Sequence, residues 1–66
     1  MVIAAYQNGV RVGWVSSVST YRSMFYITQD KSKAKKGYRS MDEAMADIDL
    51  CCRLPGGMMY GFVIEQ

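Results

Sequence analysis

Asn8-Gly9 sits between two apolar runs, residues 2–7 and 10–18, and this dipeptide restricts the fold more than any other feature of the chain. A two-residue type I′ hairpin turn needs positive φ at both central positions, which Asn and Gly adopt at little cost. That turn sets a register in which Gln7 faces Val10, Ala5 faces Val12 and Ile3 faces Trp14. Directly opposed residues share a face. One face therefore gathers Ile3, Ala5, Val10, Val12 and Trp14, and the other Val2, Ala4, Tyr6, Arg11, Gly13 and Val15. On this register Trp14 is expected as a core anchor rather than a binding hot spot.

After a hydroxyl-rich stretch at 16–23, expected to bend or loop, residues 24–29 (Met-Phe-Tyr-Ile-Thr-Gln) read as a third strand. Five of the eight cationic residues (Lys31, Lys33, Lys35, Lys36, Arg39) then fall within 31–39, with Gly37 as a turn. Ser40-Met41-Asp42-Glu43 follows as a capping box: Ser40 at the N-cap, Glu43 reaching back. Met41, Ala44, Met45, Ile48 and Cys52 lie within about a 100° arc, the stripe expected to face the sheet, with Leu50 almost opposite. Asp42, Glu43, Asp47 and Asp49 fall outside that stripe. Pro55-Gly56-Gly57 ends the helix, and Tyr60, Phe62 and Ile64 alternate with Met59, Gly61 and Val63 in a closing strand.

The expected fold is thus a single small α+β domain over 1–66, β-β-β-α-β, with a mainly antiparallel sheet and one helix packed on one face. If the helix simply returns the chain, the last strand runs parallel to the first and third, through a right-handed crossover. The expected strand order is 4-1-2-3.

At 66 residues the core has to be efficient, because chains of about 60 residues bury only about 60% of their unfolded surface. Half of this chain is hydrophobic, which supplies the material. Neighbouring Cys51 and Cys52 cannot bridge in a helix without strain, and two thiols without a disulfide framework suit a reducing compartment. The start has no charged n-region, and no apolar run approaches the ~20 residues of a membrane span. A cytoplasmic protein without a membrane partner is expected.

The absence of histidine removes the commonest general base, and two cysteines cannot complete a structural zinc site. The glycines match neither a P-loop nor a dinucleotide fingerprint, which need a strand before and a helix after. No enzymatic activity, cofactor or metal is expected. One helix covers one side of a four-stranded sheet, so the other side is left open with Val2, Tyr6, Arg11 and Val15, joined by Tyr26 and Val63. Tyr and Arg are enriched at interface hot spots. That face suits a protein partner, or a second copy in a homodimer. The lysine-rich segment reads first as a solvated loop. Contact with a protein is its second role, and contact with nucleic acid ranks behind, since no aromatic side chain interleaves Lys31, Lys33, Lys35 and Lys36 for base stacking.

The run Ala34-Lys35-Lys36-Gly37-Tyr38-Arg39-Ser40-Met41-Asp42-Glu43-Ala44, between an aromatic strand and a closing strand, resembles many short proteins encoded by phages and prophages. The similarity covers roughly residues 24–65. Characterised members of that group include stoichiometric inhibitors, among them anti-CRISPR proteins and inhibitors of host RNA polymerase. The resemblance implies an inhibitor that binds and blocks a protein in the host cytoplasm. With a net charge of +2 the chain lacks the acidic excess of a DNA mimic. The alternative reading is a nucleic-acid-binding accessory protein that uses residues 31–39. The expected contact residues are Tyr6, Arg11, Val15, Tyr26, Lys31, Lys33, Lys35, Lys36 and Arg39.

Overall fold

The computed structural model describes all residues, Met1–Gln66. Strands β1 (Val2–Gln7) and β2 (Val10–Ser19) form the expected hairpin. Its Asn8-Gly9 turn has φ of 53° and 77°, as a type I′ turn requires. Strand β3 (Met24–Thr28), a 3-10 turn (Lys31–Lys33), helix α1 (Met41–Arg53), a second 3-10 turn (Gly57–Met59) and strand β4 (Gly61–Glu65) follow. The four-stranded sheet has the order β3-β2-β1-β4, which places the last strand beside the first as expected. Its direction differs: β4 is antiparallel to β1. The helix is not the only part of the connection, because a 3-10 turn and an irregular stretch at 34–40, with Gly37 at φ 86°, precede it, and the chain does not simply return along the helix into a parallel crossover.

The second difference lies inside the hairpin. Gln7 faces Val10 and Tyr6 faces Arg11, but the register then slips, so Ala5 faces Gly13 and Ala4 faces Trp14. Val12 is the extra residue of a β-bulge, and one extra residue sends the side chains that follow in β2, up to the next bulge, to the opposite face. Trp14 leaves the helix side and joins Val2, Ala4, Tyr6 and Arg11. Gly13 and Val15 turn inward instead. Gly13 fits because it lacks a side chain: a Cβ there would stand 2.5 Å from the Thr28 carbonyl oxygen and 2.7 Å from Ile27 Cγ2. A second bulge, between Val15 and Ser17, lets β2 continue to Ser19, so the hydroxyl-rich stretch starts as strand and turns only at 20–23.

These bulges curl the sheet. In a flat four-stranded sheet the outer strands stand about 14 Å apart. Here Phe25 of β3 and Phe62 of β4 meet with ring centroids 5.8 Å apart, and Tyr60 stands edge-on to Phe25 at 5.8 Å. The concave side holds the core of Ile3, Val15 and Cys51, against which Val18, Phe25, Ile27, Tyr38, Ile48 and Phe62 pack. The convex side has no helix over it.

Helix α1 starts where its cap dictates: the Glu43 N–H donates to Ser40 Oγ at 3.3 Å. The Glu43 carboxylate reaches back one residue further than a capping box does, accepting from the Arg39 N–H at 2.8 Å. The helix is turned by roughly 60° from the expected stripe, at about 100° per residue. Ala44 and Cys51 are buried and Ile48 packs on the core, while Met41, Met45 and Cys52 face solvent. Asp47 accounts for the rotation. Its Oδ2 accepts from Tyr38 Oη at 2.6 Å and from Lys35 Nζ at 2.7 Å, which holds that side of the helix against the 34–40 segment. Leu54 then adopts ψ of 156°, outside the helical region, as a residue before proline prefers.

Candidate partner-binding face

The convex face is built by all four strands, β3 contributing Tyr26. Cross-strand pairing sets Tyr6 beside Arg11, and Ala4 between Trp14 and Val63. Val2 and Ala4 are buried although they lie on the open side, so Val2 is not among the residues this face exposes. Tyr26, beside Ser17, and Val63 are half exposed at 46% and 50%. This face therefore carries a continuous set of aromatic, aliphatic and cationic groups.

Its centre is a charged cluster around Glu65. The Trp14 indole Nε1 donates to Glu65 Oε1 at 3.0 Å, Arg11 donates to Oε2 at 3.0 Å, and Lys31 Nζ stands 3.3 Å from Oε1. The Arg11 guanidinium also lies 4.8 Å from the Trp14 ring centroid, and Lys31 Nζ lies 6.0 Å from it. Cations at these distances are drawn to the negative face of the indole. The Trp14 hydrogen bond, followed by those from Arg11 and Lys31, holds the Glu65 carboxyl below the ordinary glutamate range despite its partial burial. Each long cationic side chain is thus fixed by a ring and a carboxylate together, which lowers its ordering cost in any complex.

The basic segment is tied down rather than free. Asp30 caps the 3-10 turn, accepting from the Ser32 N–H at 3.0 Å and from Ser32 Oγ at 2.7 Å, and these bonds lower its pKa. Lys31 is engaged by Glu65. Lys35 is bound to Asp47 and stands 5.3 Å from the Tyr38 ring, while its backbone N–H donates to the Val15 carbonyl at 2.9 Å. Lys36 Nζ donates to the Ser32 carbonyl at 2.9 Å. Lys33, Lys36 and Arg39 make no ion pair with a carboxylate.

Of the residues expected to contact a partner, Tyr6, Arg11, Tyr26 and Lys31 lie on or beside the convex face. Lys35 belongs to the helix-anchoring network. Lys33, Lys36 and Arg39 remain separate from the cluster. Val15 is corrected: it is fully buried in the core, because the Val12 bulge turns it inward. The same bulge corrects Trp14, which is half-buried on the open face. Glu65 was missed altogether. The one available signal was Gly13 inside an otherwise apolar strand, a common mark of a bulge.

A second apolar surface lies elsewhere. Met41 and Met45 on the outside of α1 are 52% and 55% exposed, and Met58 and Met59 also face solvent.

Compared with known proteins, the chain matches no family model, no curated protein and no solved structure.

Proposed function

We propose that the chain is a non-enzymatic binding module that engages a host protein stoichiometrically through its convex sheet face, as an inhibitor of the phage or mobile-element type it resembles. The observation that carries this reading is the fixed Arg11–Trp14 pair next to Tyr6, with exposed Tyr26 and Val63 on the same side. Interface energy concentrates in Trp, Tyr and Arg side chains that are ordered before binding. The exposed methionines of α1 are flexible and offer less specificity per residue. The inhibitory consequence follows from occupancy, since a chain of this size acts by covering a surface its target needs.

Affinity capture from host lysate, with wild type and the Tyr6→Ala/Tyr26→Ala variant side by side, tests the reading. A protein retained by wild type and lost by the variant is expected, with the variant's circular dichroism unchanged. Equal retention by both, or loss only in a Met41→Ser/Met45→Ser variant, contradicts it.

The second reading, contact with nucleic acid through 31–39, rests on the side chains of Lys33, Lys36 and Arg39 making no ion pair with a carboxylate. It requires binding that falls with salt at a log–log slope of about −0.9 per phosphate neutralised on a duplex. Pairing of Lys31 and Lys35 with Glu65 and Asp47 works against it. Self-association through the convex face is separated from both by sedimentation of the isolated protein.

A further inference from the structure

We propose that Arg11, Lys31 and the Trp14 indole N–H form a carboxylate-recognition site, filled in the free protein by the chain's own Glu65, and that the partner meets it with an acidic side chain that takes the place of Glu65. This rests on the convex-face reading and names the chemistry of the partner there.

The donor arrangement is the first support. Donors from β2 and from the Lys31–Lys33 turn converge on a single carboxylate carried by β4, and both of its oxygens are used. Both cations are also held near the same indole ring. The site stays open to solvent, because the Arg11 and Lys31 side chains are 47% and 52% exposed.

Capacity is the second. Two cations face one carboxylate, so the cluster keeps a positive charge. A guanidinium carries five N–H donors in a fork that suits a carboxylate, and Arg11 reaches Glu65 through Nη1. Further donors on that fork remain for an incoming anion.

Access is the third. Strand β3 ends at Thr28, opposite Trp14, and leaves residues 10–12 of β2 without a strand partner on that side. A cleft of about 450 Å³ opens there, lined by Arg11, Val12, Gly13, Trp14 and Gln29. The cleft reaches Arg11 and Trp14 from the β3 side, without Glu65 or Lys31 in its lining, and so gives an approach to the Arg11 fork beside the carboxylate already bound.

A purely structural role explains the cluster less well. The Arg11 and Lys31 side chains are half exposed, so their ion pairs with the less exposed Glu65 add only modestly to stability, whereas an internal carboxylate competes with any external one at an effective concentration set by the chain. Glu65 then suppresses binding of unrelated anions until a partner supplies further contacts.

The test uses the intrinsic fluorescence of Trp14, the one tryptophan of the chain, titrated with poly-L-glutamate at low ionic strength and in parallel with an oligothymidylate of equal charge. Glu65→Gln keeps the side-chain size and an acceptor for the indole N–H, and removes the competing charge. It is expected to bind poly-L-glutamate at least tenfold more tightly than wild type, and adding Arg11→Ala should return affinity to the wild-type level or below. In the otherwise unchanged chain, Arg11→Lys keeps the charge and loses the fork. It should weaken binding several-fold, which provides a readout if Glu65→Gln does not fold. No gain in Glu65→Gln, no loss in Arg11→Lys, or an equal or larger gain for oligothymidylate overturns the assignment to carboxylates. Such a failure alongside a partner still lost on Tyr6→Ala/Tyr26→Ala removes the acidic partner class and leaves the convex face standing.

Discussion

Trp14 and Glu65, 51 positions apart in the chain, are joined by a hydrogen bond of 3.0 Å from the indole Nε1 to Oε1. That bond exists because the bulge at Val12 puts Trp14 on the same side of the sheet as β4's Val63 and Glu65. Without the bulge the indole would point into the core, and Arg11 would lose the indole ring it now lies against.

The bond sets an acid transition. The folded-state pKa of Glu65 is depressed, so its contribution is present above the unfolded value and is lost as pH falls through the folded value. Trp14 fluorescence should therefore titrate below the ordinary glutamate pKa of about 4.3. In Glu65→Gln that transition should be absent. A wild-type midpoint at or above the ordinary value contradicts the cluster.

Gly13 tests the bulge. Gly13→Ala forces a methyl group into contact with the Thr28 carbonyl and Ile27, and overpacking of this kind costs about 1–3 kcal/mol. Gly61→Ala, with open space around its Cβ position, should stay within about 0.5 kcal/mol of wild type. Urea denaturation of the two variants decides the point. Equal stabilities would mean that β2 is not bulged as described.

The helix rotation is tested by charge. Met45→Asp places a carboxylate on a half-exposed position, and a shift under about 1 kcal/mol is expected. Ala44→Asp puts the same charge at a fully buried site and should unfold the domain or cost several kcal/mol. The opposite ranking in thermal melts would restore the stripe expected from spacing alone.

The adjacent thiols should behave differently. Burial, and then the Asp47 charge, push the Cys51 thiol up to about 11, and Cys52 is exposed. A disulfide reagent near neutral pH should modify Cys52 quickly and Cys51 only on unfolding. Two equally fast thiols would show that the end of α1 is not packed as described.

Local chemistry made the hairpin turn, the helix cap and the helix stop readable from sequence, because each depends on residues within a few positions. Strand order was readable as well. The bulge was not: Val10-Arg11-Val12-Gly13-Trp14 alternates cleanly as a regular strand, and only the crowding of Gly13 against Thr28 and Ile27 shows why β2 departs from it. The helix face was misjudged because Met41 and Met45 have the right periodicity, while the deciding contact, Asp47 with Tyr38 and Lys35, is tertiary. The open face of the sheet was half legible. Tyr6, Arg11 and Tyr26 lie where expected, while Val15 and Trp14 exchanged sides through a single inserted residue.

The most direct measurement is the dissociation constant of the captured partner for two variants set against wild type. Tyr6→Ala/Arg11→Ala removes the paired contact on the convex face, and Lys33→Ser/Lys36→Ser/Arg39→Ser removes the unpaired cations of the basic segment. At least a tenfold loss is expected for the first. For the second, slower association with little change in dissociation rate is expected, because exposed charges act mainly through screened, long-range attraction. Abolished binding in the basic-segment variant, with wild-type affinity in Tyr6→Ala/Arg11→Ala, would contradict the convex face as the functional surface.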